Sequence, residues 1–262
     1  MDGQDAAQSL TRLDEITRRL RRECPWDREQ DERSIVPHTV EEAYELADAA
    51  ERRDDGKLLD ELGDVLFQVH FLSLLMEERG VGDLAQVAEH VTEKLIRRHP
   101  HVFGETEVAT AQDVLRNWDA IKRTEPGREP GLFGEVPENL PALLHARKLQ
   151  RRVASRGLDV PDAATPLEAA HELLARLEAA GTDQERFDEL GDVLFAIVNA
   201  ARKLKLDPEL ALRASSARFR DRVTAAGELA ASDGRSWDDL PPEQQLAYYA
   251  RASLSQGDRP PT

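Results

Sequence analysis

The chain is predicted to be all-α, built from two related helical units. Three observations carry this expectation. Apolar residues recur in stretches long enough for helices, separated by short Gly- and Pro-containing segments. No stretch alternates with period two for long enough to demand a strand. The octapeptide DELGDVLF occurs at Asp60–Phe67 and again at Asp188–Phe195, preceded in both places by a helix-like stretch (VEEAYELADAAERR, LEAAHELLARLEAA) and followed by an apolar one.

The repeat sets the organisation: one unit over about residues 8–125, a linker over 126–137, a second unit over 138–253 and a tail over 254–262. The segment between the units, TEPGREPGLFGEVPENLP, holds four prolines and three glycines, which suits a connection. Two copies of more than a hundred residues indicate domain duplication, not a solenoid. In unit one the first helix is expected over about Ser9–Glu23, and CPWDREQDERSIVP is expected to be irregular. The second helix starts near Thr39, a residue able to cap it, with Glu41 and Glu42 in its first turn, and ends near Arg53. A turn around Gly56 leads to a third helix over Lys57–Arg79, which stops at Gly80. The fourth covers Leu84–Arg98, before His99-Pro100, and the fifth covers Ala111–Arg123.

Composition narrows the function classes. The chain has 262 residues, 40% hydrophobic and 33% charged, enough for a core beneath a heavily solvated surface. A net charge of −16 disfavours general binding to nucleic acid, while leaving phosphorylated small molecules open where a metal reverses the local sign. The single cysteine, Cys24, excludes an intramolecular disulfide and a multi-cysteine zinc site, and is read as structural. The start, MDGQDAAQSL, lacks the regions of a signal peptide, and no stretch is apolar enough to span a bilayer. A cytoplasmic protein without membrane association is expected.

The candidate chemistry lies on the second and third helices. Glu42 and Glu45 are three residues apart, as are Glu61 and Asp64, so each helix carries a pair of carboxylates on one face. The helices should be antiparallel neighbours. Asp64 lies in LGDVLFQVHFLSLL, which is apolar nearly all round and is expected to be buried. A buried carboxylate needs a reason such as a metal ion; the alternative is that Asp64 pairs with a Lys or Arg, or sits at an exposed edge. Four hard oxygen donors suit Mg²⁺ or Mn²⁺ better than zinc or copper. A ferritin-like di-iron centre would use two Glu-x-x-His motifs, whereas the chain has one, Glu168 to His171, in the other unit. Lys94 and Arg98 are four apart and can reach one ligand, although KLIRR could equally be a solvated basic patch. His99 and His101 make a poor zinc site on their own, and Trp26 and Gln30 could contact a nucleotide base or pack the bundle, with packing the expected role.

Five strings, taken in order, resemble the MazG family of nucleoside triphosphate pyrophosphohydrolases: CPWDREQ (Cys24–Gln30), VEEAYEL (Val40–Leu46), DELGDVLFQV (Asp60–Val69), KLIRRHPHVF (Lys94–Phe103) and WDAIK (Trp118–Lys122). The resemblance covers nearly the whole chain, including the duplication. It implies an all-α bundle completed by homodimerisation and Mg²⁺-dependent hydrolysis of NTPs or dNTPs to monophosphate and pyrophosphate, with a house-cleaning role in the nucleotide pool. It implies Glu42, Glu45, Glu61 and Asp64 as metal ligands, Lys94, Arg97 or Arg98, and Lys122 at the phosphates, and Trp118 against the base or lining the pocket. Glu41 or one of the ligand carboxylates would activate water; Glu41 could also be a plain helix-start acid.

The second unit departs from this pattern. Aligned on DELGDVLF, it offers Glu189 and Asp192 for Glu61 and Asp64 and Glu172 for Glu42, but Ala175 for Glu45 and His171 for Glu41. Arg218 and Arg222 stand near the expected basic pair, and Tyr248 and Arg251 replace the Trp and Lys. Unit one is therefore expected to be catalytic and unit two a degraded or weakened copy. Two other functions compete: a narrow dUTP- or dCTP-preferring pyrophosphatase, and a non-enzymatic nucleotide-binding helical dimer.

Overall fold

The computed structural model describes residues 3–125, 131–133 and 136–255, so most of the expected linker and the end of the tail lie outside the described residues. The chain divides into two compact units, Met1–Arg128 and Glu129–Thr262. Every regular element among the described residues is helical. None of these helices is long and apolar enough to cross a membrane.

Unit one comprises α1 (Gly3–Glu23), α2 (Pro25–Glu29), α3 (Glu32–Arg52), α4 (Asp55–Glu78), α5 (Leu84–Arg98), α6 (Pro100–Phe103) and α7 (Ala111–Thr124). α1 begins earlier than expected, at Gly3, because Ala6, Ala7 and Gln8 favour helix and nothing interrupts them. The larger difference lies before the acidic motif. CPWDREQDERSIVP is not irregular: it forms α2 and the first turns of α3. Asp31 caps α3 through a reciprocal box, its carboxylate accepting from Ser34 N (2.8 Å) while Ser34 Oγ accepts from Asp31 N (2.9 Å). Pro37 then lies inside the helix and removes one backbone bond, a cost the cap and packing offset. Thr39 is thus interior, its hydroxyl donating to Ile35 O, and Glu41 and Glu42 are mid-helix.

The turn between α3 and α4 is formed by Arg53 and Asp54, not around Gly56. Arg53 takes a left-handed conformation (φ 55°) and Asp54 caps α4 by accepting from Lys57 N, which places Gly56 in the first turn of α4. So tight a turn sets α3 and α4 side by side. The C-terminal half of α4 carries the core: Phe71 and Leu75 pack with Ile35 of α3, flanked by Phe67 and Leu72. α1 is tied to this half by two bidentate ion pairs, Arg18 to Glu77 (2.9 and 2.6 Å) and Arg21 to Glu78 (2.9 and 2.8 Å). α5 starts and stops where the sequence predicts, at its Asp83 cap and at His99-Pro100, and α7 is opened by a Thr110–Asp113 capping box.

Unit two comprises α8 (Ala142–Ala154), α9 (Ala164–Ala179), α10 (Asp183–Lys203), α11 (Pro208–Ser232), a short 3₁₀ turn (Trp237–Asp239) and α12 (Pro242–Ser255). α9 packs on α10 as α3 packs on α4. Alanines give a second core its close approach, Ala226, Ala230 and Ala252 packing with Leu240 and Tyr248.

Candidate active site

The α3–α4 pairing brings three of the four predicted carboxylates together. Ligand oxygens of Glu42, Glu45 and Glu61 lie within 4.8 Å of one another, the single such group of three or more His, Cys, Asp or Glu among the described residues. Glu61 is buried (4% exposed), Glu42 half-buried and Glu45 exposed, so the cluster runs from the helix interface outward. Burial, followed by the charges of Asp64, Glu45, Glu61 and Glu41, pushes the Glu42 carboxyl above the ordinary glutamate range. Lys57, one turn before Glu61, brings its ammonium to 3.6 Å of that carboxylate. The i,i+4 spacing was a legible signal for this cation. Concentrated negative charge on hard oxygens, partly withdrawn from water, is a donor set that a divalent cation fits.

Asp64 does not have the expected environment. It is exposed, close enough to bear on the Glu42 charge but outside the 4.8 Å group. The reason is that the N-terminal half of α4 is covered on one side only: Leu59, Leu62 and Leu66, around Asp64, are exposed as well. Glu41 is exposed on α3, its carboxylate 3.2 Å from His38 Nδ1. His38 in turn meets the edge of Trp26, which is 53% exposed and so does not simply pack as expected.

The basic residues form a second group. Lys94 is half-buried on α5. Arg97 and Arg98 both bind the Glu125 carboxylate, at the C-terminal end of α7, with Arg98 and Glu125 largely buried. The Arg98 guanidinium lies 5.2 Å from the centre of the Trp118 ring, and the Lys122 ammonium 5.0 Å. Glu125 carries no signal in the sequence, because it is the last residue before the Pro- and Gly-rich linker.

Unit two places different chemistry at the equivalent helix pair. Glu189 of α10, the counterpart of Glu61, accepts a bond from Arg176 of α9, and its other oxygen is buried without a hydrogen-bond partner. Glu172 and Asp192 are exposed. Arg251 lies 5.0 Å from the centre of the Tyr248 ring, and both residues bind Asp233.

The chain is similar to known proteins over most of its length. The family model of the MazG nucleotide pyrophosphohydrolase domain matches residues 30–103, which include the carboxylate group and the α5 basic residues. The chain is 38% identical over 230 residues to the nucleoside triphosphate pyrophosphohydrolase/pyrophosphatase MazG of Thermotoga maritima, covering 87% of this chain and 89% of that protein. It is 37% identical over 235 residues to the nucleoside triphosphate pyrophosphohydrolase of Escherichia coli K12, covering 86% and 89%. It is 37% identical over 233 residues to the uncharacterized protein YabN of Bacillus subtilis, of which it spans 45%. With its helix pairs, its carboxylate group and this likeness over most of its length, the chain belongs to the MazG family.

Proposed function

We propose that unit one hydrolyses nucleoside triphosphates, ribo or deoxy, to monophosphate and pyrophosphate. The observation that carries the reading is the convergence of Glu42, Glu45 and the buried Glu61 between α3 and α4. Mg²⁺, with Mn²⁺ as a substitute, would be held by these residues and Asp64; when bound, it neutralises phosphate charge and lowers the pKa of water. Lys94 and Lys122, backed by Arg97 and Arg98, supply positive charge for the phosphates, and Trp118 lines the base end. Catalysis of this kind depends mainly on positioning and electrostatics. Water attacks at the α- or adjoining β-phosphorus, the bridging P–O bond breaks, and a carboxylate takes the water's proton. That carboxylate is Glu41, whose charge bears on Glu42, or one of the metal-holding carboxylates.

Catalysis is assigned to unit one because unit two lacks the counterpart of Glu45 and sets Arg176 against Glu189. The chain acts as a homodimer in the cytoplasm on the free nucleotide pool. The dimer is supported by the uncovered apolar surface of α4 around Leu59, Leu62 and Leu66. The test is to incubate the protein with each common NTP and dNTP, with Mg²⁺ or with EDTA, and identify the products. Mg²⁺-dependent monophosphate and pyrophosphate, lost in Glu61→Ala and retained in Glu189→Ala, is expected. Release of diphosphate and orthophosphate would refute the reading.

A further inference from the structure

The Arg98 guanidinium is oriented by two neighbours at once. Its Nε and Nη2 donate to the two oxygens of Glu125, at 2.9 and 2.5 Å, while Arg97 Nη2 donates to one of the same oxygens at 2.8 Å. The Arg98 and Glu125 side chains are 10% and 9% exposed. The Arg98 guanidinium also lies 5.2 Å from the centre of the Trp118 ring. Burying such a pair costs desolvation that its Coulomb attraction only partly recovers, so its clearest gain is a fixed geometry. The fork constrains the guanidinium in two directions, and contact with an aromatic ring adds to that constraint. Arg98 is on α5, Trp118 and Lys122 on α7, and Glu125 at the end of α7, so one carboxylate ties the two helices together at the aromatic residue.

We infer that Glu125 is a positioning residue: it holds Arg98 against Trp118 and so presets the ring, with the Lys122 ammonium beside it, for the incoming nucleotide. This rests on the reading above that Trp118 and Lys122 meet the substrate. Glu125 acts through Arg98 and not on the reacting atoms, so its loss falls on substrate binding. Without it, Arg98 is a buried cation that has lost its carboxylate partner, it leaves its place at the ring, and Trp118 loses one of the contacts that orient it.

The test uses the full chain labelled with 5-fluorotryptophan, whose three tryptophans, Trp26, Trp118 and Trp237, give three ¹⁹F resonances. The Trp118 resonance is assigned with Trp118→Phe. Expected are a shift or broadening of that resonance in Glu125→Gln with the Trp26 and Trp237 resonances in place, a rise in KM of about tenfold, and kcat within about twofold of the parent. Arg98→Lys, which keeps the charge but loses the fork, should move the same resonance if Glu125→Gln proves too unstable to study. An unmoved Trp118 resonance with unchanged KM overturns the proposal, as does a fall in kcat at constant KM. If nucleotide and Mg²⁺ leave the Trp118 resonance of the parent untouched, the assignment of Trp118 to the pocket fails and the positioning role with it. That outcome is separable from the former, in which nucleotide moves the Trp118 resonance of the parent but the Glu125→Gln substitution leaves that resonance in place.

Discussion

Arg176 donates a hydrogen bond to Glu189 across α9 and α10, at the place in the repeat where unit one sets Glu61 beside Glu42 and Glu45. Unit one gathers three carboxylates at this position with the Lys57 ammonium beside one of them, whereas unit two sets one arginine against one glutamate. The difference is a consequence of two adjacent positions: Ala175 where unit one has Glu45, and Arg176 where it has Leu46.

Divalent metal should therefore bind in unit one. Titration with Mn²⁺, followed by the EPR signal of the free ion, is expected to show binding that Glu61→Gln weakens by at least about tenfold and Glu189→Gln leaves within about twofold, since Glu61 supplies a buried charged oxygen to the donor set. Metal binding that survives Glu61→Gln and disappears in Glu189→Gln would place the centre in the other unit.

The α1–α4 ion pairs predict a stability that depends on acid. Hydrogen bonds from Arg18 and Arg21 hold the Glu77 and Glu78 carboxyls below the ordinary glutamate value of 4.5. Their folded pKa values are depressed, so the stabilisation is present above 4.5 and is lost as pH falls through the depressed values. Solvent exposure makes the effect modest. Melting temperatures measured from about pH 6 to pH 3 should show Glu77→Gln/Glu78→Gln less stable than the parent at the upper end, with the two curves converging at the lower. A difference independent of pH would sink this account.

Phe71 is fully buried against Ile35 and Leu75, with Phe67 at a ring-centre distance of 5.8 Å. Phe71→Ala should cost about 3–5 kcal/mol, because the transfer energy of the ring and the cavity both count. Denaturant unfolding measures this directly. A cost below about 1 kcal/mol would mean that this cluster does not carry the stability of unit one.

Leu62 and Leu66 are exposed on α4 one turn apart, an uncovered apolar surface beside the carboxylate group. Leu62→Lys/Leu66→Lys should shift sedimentation from dimer to monomer, because two buried charges in an apolar interface are strongly unfavourable. A parent that sediments as a monomer refutes the dimer.

Much of the fold was legible because helices are written locally. The end of α5 was legible because His99-Pro100 stops it; its start, at the expected residue, is fixed by the Asp83 cap. The start of α3 was misread because Pro37 and the polar run before it look like a break, while the reciprocal bonds of Asp31 and Ser34 outweigh that signal. Glu42, Glu45 and Glu61 were identifiable from their three-residue spacing and the pairing of neighbouring helices. The surroundings of Asp64 were not, because periodicity says that a helix is apolar all round but not which of its sides is covered.

The sequence by itself determined the all-α class, the duplication and the residue types that make a carboxylate group possible, all properties of pattern and spacing along one helix. Only the tertiary structure decided that Glu61 is buried while Asp64 is exposed, that Glu125 binds Arg97 and Arg98 against Trp118, and that Arg176 meets Glu189 in the second unit. These are relations between side chains on different helices, and the packing of the helices sets their burial and distances.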